Sequence, residues 1–275
     1  MPFSGSSREG GNGEIAPSLE TGTAVAIYNS SKSARPFNAE HGFSGWGGAR
    51  NRADRVSDSL SLNQASGIIE AAQFAAAIGL PFNRHVTIHW ERAGVPDSRA
   101  AAATGRFLKL ASDWIAKRGS KLDKQSKEIK RAVVSQFVWA WVRENEASGD
   151  DPKGSHVHIL LHLPAGAAWS GWRVRRWLER ISGKPYRAGI IRTARIGGTV
   201  RAAATAPAVY RANLAEVVGY VLKGSSLGTA RALGLERIDL GGQIIGKRAG
   251  WAQNIGQASR ERQAANAEVS CRSLK

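Results

Sequence analysis

The stretch Ser155-His156-Val157-His158-Ile159-Leu160-Leu161-His162-Leu163 decides how this chain is read. Side chains alternate across a β-strand, so a strand here puts His156, His158, Leu160 and His162 on one side. Val157, Ile159, Leu161 and Leu163 then make an unbroken apolar face, which a strand covering a core requires. A helix would scatter the same residues and leave no apolar stripe. Three of the six histidines in the chain fall inside this window. A lone histidine on a strand is ordinarily a structural residue satisfied by its neighbours. Two at i and i+2, opposite a purely aliphatic face, instead present paired imidazoles to one side, a geometry suited to a metal ion. His162 sits at the strand's end, just before Pro164, where backbone or substrate could engage it.

Working outward, the turn-rich segment Ala147 to Gly154 joins this strand to Val133–Glu146, which is rich in β-branched and aromatic residues and reads as its antiparallel hairpin partner. Upstream, Arg84-His85-Val86-Thr87-Ile88-His89-Trp90 reads as a strand with Val86, Ile88 and Trp90 on one face and His85, Thr87 and His89 on the other. A helix is expected from Leu62 to Ile78, ended by Gly79 and Pro81. A second should run from an Asp97 or Ser98 cap to about Lys117, closed by Gly119. Downstream, helical spacing covers Ser170 to Ile181, a strand covers Arg187 to Ile196, and an Asn213 cap opens a helix over Leu214 to Lys223.

The order strand, helix, strand, strand, helix, strand implies an α+β fold: an antiparallel sheet of split βαβ type with helices on one face and the other face open. The first and third strands should be central neighbours, with the second flanking the third. Glu144, His156, His158 and His89 would then converge on the open face. Residues 61–225 make up this domain, between a flexible, Gly/Ser-rich region at 1–60 and a basic, loosely ordered extension at 226–275.

Composition narrows the partners. Lys and Arg number 39 against 22 Asp and Glu, a net charge of +17, which argues for a polyanionic partner, nucleic acid first. No run of about 18 apolar residues occurs, so no membrane span is expected. Met1 to Gly13 lacks an apolar signal core and Cys271 is the only cysteine, so the expectation is a cytoplasmic protein without internal disulfides. The Gly-rich stretches lack the strand–loop–Lys–helix context of a phosphate-binding loop, so no nucleotide cofactor is expected.

Three segments now line up in order: Val86-Thr87-Ile88-His89 on the first strand, His156-Val157-His158 on the third, and Tyr220-Val221-Leu222-Lys223 on the late helix. Together they resemble the motifs of HUH-superfamily replication initiator endonucleases of the rolling-circle type, in which a hydrophobic strand, His-hydrophobic-His and Tyr-x-x-Lys follow one another. The tyrosine comes after the histidines, unlike in mobilisation relaxases. The resemblance spans Arg84 to Gly224 and implies an RRM-like HUH endonuclease fold.

It also implies a site. His156 and His158 would bind Mg²⁺ or Mn²⁺ with a third ligand from the preceding strand; Glu144 is the best match, with Glu146 and His162 as alternatives. Otherwise His162 is a second-shell or substrate-facing residue. Tyr220 would be the catalytic nucleophile, forming a 5′-phosphotyrosine link. A phenol is mostly protonated at neutral pH, so Lys223, one helical turn on, would favour the phenolate or neutralise the phosphate. Single-stranded DNA would be held by Arg173, Arg175, Arg176 and Arg180, with Trp169 and neighbouring tryptophans interleaved, and by His89.

The function implied is nicking and rejoining of single-stranded DNA at a replication origin, initiating rolling-circle replication of a plasmid or phage-like element. A host helicase or self-association is left open. Two other readings stand beside it: a single-strand DNA transposase of the same superfamily, and a non-catalytic nucleic-acid-binding module in which His156 and His158 are relics.

Overall fold

A computed structural model describes residues 54–122, 137–146, 154–164, 167, 170–199, 201–236, 238–239 and 241–272. The expected strands are present but two are shorter: the one expected over Val133–Glu146 starts at Trp139, with 133–136 outside the described residues, and the one expected over Arg187–Ile196 covers Ile191–Arg195. Arg84–His89 (β2), Trp139–Glu146 (β3) and Gly154–Leu161 (β4) form the middle of a five-stranded antiparallel sheet. Ile191–Arg195 (β5) lies at one edge and Ala249–Trp251 (β7) at the other, in the order β5-β2-β4-β3-β7. β4 is central, flanked by β2 and β3 as the order of the elements implied, and all eight of its residues are buried. Val56–Ser57 (β1) and Ile244–Ile245 (β6) make a separate two-stranded ladder.

Helices cover both faces of the sheet, not one. Val86, Ile88, Trp141, Val157, Ile159 and Leu161 pack with Asp97–Leu122 (α2) and Gly171–Ser182 (α3). The other face carries Ala140, Val142 and Leu160, which pack with Leu62–Ala77 (α1) and Pro207–Val221 (α5). The open face expected above the histidines is therefore roofed at one end. The physical reason lies in α1, whose Ala65, Ile68, Ala71, Ala72 and Ala75 form a small-residue face that lets the helix lie close against the sheet.

Local chemistry sets the ends. Ser61 caps α1 in a reciprocal box with Gln64: Gln64 N–H donates to Ser61 Oγ at 3.4 Å, and Ser61 N–H donates to Gln64 Oε1 at 3.0 Å. Gly183, at φ 71°, closes α3 in the left-handed region. Gly119 does not stop α2, which runs on to Leu122. Pro207, not Asn213, opens α5, because its fixed φ and missing N–H suit a first turn. Asn213 lies inside α5, where its Oδ1 accepts from Gly197 N–H at 2.6 Å. Ala202–Thr205 (α4) precedes it and Leu227–Leu233 (α6) follows.

The stretch expected to be a loose C-terminal extension belongs to the same core. β7 pairs with β3, Ala249, Ala252 and Ile255 are buried, and Gln257–Arg272 (α7) follows. Two arginines secure it. Arg143 on β3 is fully buried; it pairs with Asp97 and donates to the Ile245 and Lys247 carbonyls at 3.0 and 3.1 Å. Arg248 donates to Ser57 Oγ at 3.0 Å and to the Gly242 carbonyl at 2.5 Å. Gly242, at φ 64°, must be glycine, since a Cβ there would collide with the Asn145 carbonyl.

Residues 1–53, expected to be flexible, and Trp169 lie outside the described residues. Among the described residues, no helix is long and apolar enough to cross a membrane.

Candidate functional site

The register assembles the site. Across the sheet His156 stands opposite Glu144 on β3 and His89 on β2, while His158 stands opposite Val142 and Thr87. Glu144, His156 and His158 therefore share one face, and their ligating atoms lie within 4.8 Å of one another. Glu144 Oε2 is 3.3 Å from His156 Nε2 and 3.6 Å from His158 Nε2. The three side chains are 1–3% exposed.

The donor set fits a divalent cation. His156 Nδ1 is 2.8 Å from the Gly154 carbonyl, which can only accept, so Nδ1 carries the proton and Nε2 presents its lone pair. His158 Nδ1 is held by Thr87 Oγ1 at 3.0 Å and His85 Nε2 at 3.2 Å, again turning Nε2 inward. Glu144 Oε1 and His158 Nε2 have no hydrogen-bond partner among the described residues, while Glu144 Oε2 pairs with Lys223. Buried polar atoms left so are costly, and two imidazole nitrogens with one carboxylate suit Mn²⁺ or a similar ion.

Lys223 and Tyr220 join this group from α5. Lys223 Nζ lies 2.8 Å from Glu144 Oε2 and 3.3 Å from Asp239 Oδ2. It is placed just past the helix, which ends at Val221. The Tyr220 ring stands edge-on to His158 at 5.2 Å and to His85 at 6.0 Å, with Lys223 Nζ 5.5 Å from its centroid. Burial disfavours the Lys223 charge, but Glu144, Asp239 and Tyr220 outweigh it and raise the ammonium's pKa. Burial would raise Glu144 too, yet His156, His158 and Lys223 hold it well below the usual carboxylate range.

Several expected placements change. Of the roles open to His162, the backbone one is seen: its Nδ1 bonds the Pro81 carbonyl at 2.8 Å, four residues and roughly 13 Å along the chain from His158, so it is not beside the metal group. The side chains that touch His158 and hold its ring are those of His85 and Thr87. Glu146 lies opposite Gly154 at the strand's end, outside the ligand group. His89 stands opposite His156, with its ring 5.3 Å away, and so converges with the metal group on one face as expected, but at 6% exposure it is buried there.

Arg173, Arg175, Arg176 and Arg180 do not flank the site. They project from α3, which packs on the opposite face of the sheet through Val174, Trp177 and Leu178. Arg192 of β5, paired with Thr87 and exposed, lies on the site's own face. Two strand spacings put it about 10 Å from His158. Strand alternation from Ile191 could have marked Arg192, had the β2–β5 register been known.

Two expectations follow. His85→Ala should weaken Mn²⁺ binding about 10- to 100-fold by freeing the His158 ring, measured by calorimetry. In the metal-free protein, burial first and His158 second push His85 down from 6.5 to about 4, against the pull of Glu144. Between those values the unfolded chain binds the extra proton, so stability should fall as pH drops from 6.5 to about 4. Thermal unfolding in a chelator across that range measures it; an unchanged midpoint would remove His85 as a buried neutral imidazole.

No family model, curated protein or solved structure matches this chain, so its class rests on the fold and the site themselves. They define an α+β protein with a buried His₂Glu group beside a tyrosine and a lysine.

Proposed function

We propose that this chain is a metal-dependent, HUH-type nuclease that nicks single-stranded DNA through Tyr220 and rejoins it, initiating rolling-circle replication of a plasmid or phage-like element. One observation carries the reading: Tyr220 of α5 and Lys223 just past its end meet Glu144, His156 and His158, from β3 and β4, in one place. A structural tyrosine would not need a buried lysine–glutamate pair and two inward-turned imidazoles beside it. Tyr210, by contrast, is buried and its hydroxyl donates to the Phe82 carbonyl at 2.9 Å, as suits a structural role.

His156 Nε2, His158 Nε2 and a Glu144 oxygen would hold the ion. Bound there, a divalent cation stabilises charge on the scissile phosphate. Tyr220 Oη loses its proton to solvent and attacks phosphorus. The P–O3′ bond breaks, the 3′ oxygen takes up a proton, and the 5′ phosphate remains esterified to Tyr220. Lys223, kept cationic by its two carboxylates, stabilises the phenolate and the phosphate. Glu144, His85 and Thr87 hold the imidazoles in place. Because the tyrosyl ester retains the energy of the broken bond, the 3′-hydroxyl can reverse the step without a nucleotide. Arg192 supplies a phosphate contact on the same face.

Labelled single-stranded oligonucleotides tiled across the DNA flanking the coding region, incubated with the protein and Mn²⁺, test this. A denaturing gel should reveal a covalent protein–DNA adduct that a chelator abolishes. If no oligonucleotide yields an adduct, the nuclease reading fails and the site is a binding site.

A further inference from the structure

The arginine-bearing face of α3 is left without a role by the site. Along α3, Gly171–Ser182, there are four Arg against a single acid, Glu179. That acid is engaged: its Oε1 accepts from Tyr186 N–H at 3.1 Å. Val174, Trp177 and Leu178 bury one side of α3 against α2 and the sheet, so the remaining side is turned outward. Arg175, Arg176 and Arg180 are exposed on it.

Aromatic rings are built into the same face. Trp172 is 58% exposed, an unusual position for a large indole. The Arg173 guanidinium lies 5.0 Å from the Trp172 ring and 5.2 Å from the Trp114 ring, so it bridges the exposed indole to a partly buried one. Arg175 lies 5.0 Å from the Tyr186 ring. These cation–π contacts hold flat rings among the guanidinium groups.

We propose that this face of α3 is a second nucleic-acid contact, which holds a single strand by pairing arginines with phosphates and stacking an unpaired base on Trp172. Charge complementarity selects a polyanion, and the exposed indole selects an unstacked base over a paired one. The contact lies on the far side of the sheet from Glu144, His156 and His158. It needs no metal and no Tyr220, so it stands whether or not the nuclease reading does.

Anisotropy of a fluorescein-labelled thirty-residue oligothymidine, titrated with the full chain in EDTA, tests the contact. Trp172→Ala should weaken binding about tenfold. The triple variant Arg175→Glu, Arg176→Glu, Arg180→Glu should lower the slope of log affinity against log salt by about 2, from three phosphate contacts at ~0.7 each. A control of equal charge change, Arg55→Glu, Arg231→Glu, Arg262→Glu, should retain most of the affinity. The proposal is overturned if the control loses as much as the α3 triple, which would mean diffuse attraction to a basic chain. Wild-type affinity in Trp172→Ala overturns stacking, as does equal binding of a duplex of the same length.

Discussion

Tyr220→Phe is expected to leave no covalent protein–DNA adduct and to reduce nicking by on the order of 10³-fold or more, as removal of a covalent nucleophile does elsewhere. The substitution deletes only Oη. The ring keeps its edge contacts with His158 and His85 and its packing against the core, so folding should be unaffected. Mn²⁺ affinity should also be unchanged, because the ligating atoms belong to Glu144, His156 and His158. Retained metal binding with lost adduct distinguishes a missing nucleophile from a damaged site. Should the variant and the wild type give equal adduct, the nucleophile lies elsewhere.

Arg143→Ala is expected to have the largest effect on stability, about 3–5 kcal/mol, because it removes one partner of a buried ion pair. In a domain of this size that corresponds to a fall of roughly 6–20 °C in Tm. Burial disfavours the Arg143 charge, and Asp97 offsets that cost. Without Arg143, Asp97 would keep only Ser155 Oγ at 2.6 Å and the Ile245 N–H at 2.6 Å. The carbonyls of Ile245 and Lys247 would lose a donor, loosening the segment that leads into β7. Thermal or urea unfolding measures the loss, and Arg143→Ala combined with Asp97→Ala should cost less than the two single changes added together. A midpoint within a degree of wild type would show that the pair contributes little.

Much of the metal group was legible because β4 follows a period of two without interruption. Its apolar face sits fully buried while His156 and His158 occupy the other, and the hairpin partner carries Glu144 directly opposite His156. The neighbour order β2-β4-β3 also followed from element order alone. His85 was less accessible. It was visible on the site's face of β2, but its contact with His158 depends on the diagonal geometry of paired strands, which no local pattern encodes.

Alternation along β4 and the order of the elements thus put His156 and His158 on one face beside β3, but left Glu144, Glu146 and His162 open as the third ligand; the register of the folded sheet singles out Glu144. Tertiary structure alone decided what lies on each side of the sheet. It sent the α3 arginines to the far face, because Val174, Trp177 and Leu178 have an apolar partner only there. It also drew the C-terminal segment into the core: three residues, Ala249–Trp251, are too short to announce a strand, and the edge of β3 with Arg143 and Arg248 is what holds them. Local sequence carries periodicity, whereas the choice of face depends on surfaces contributed by distant parts of the chain.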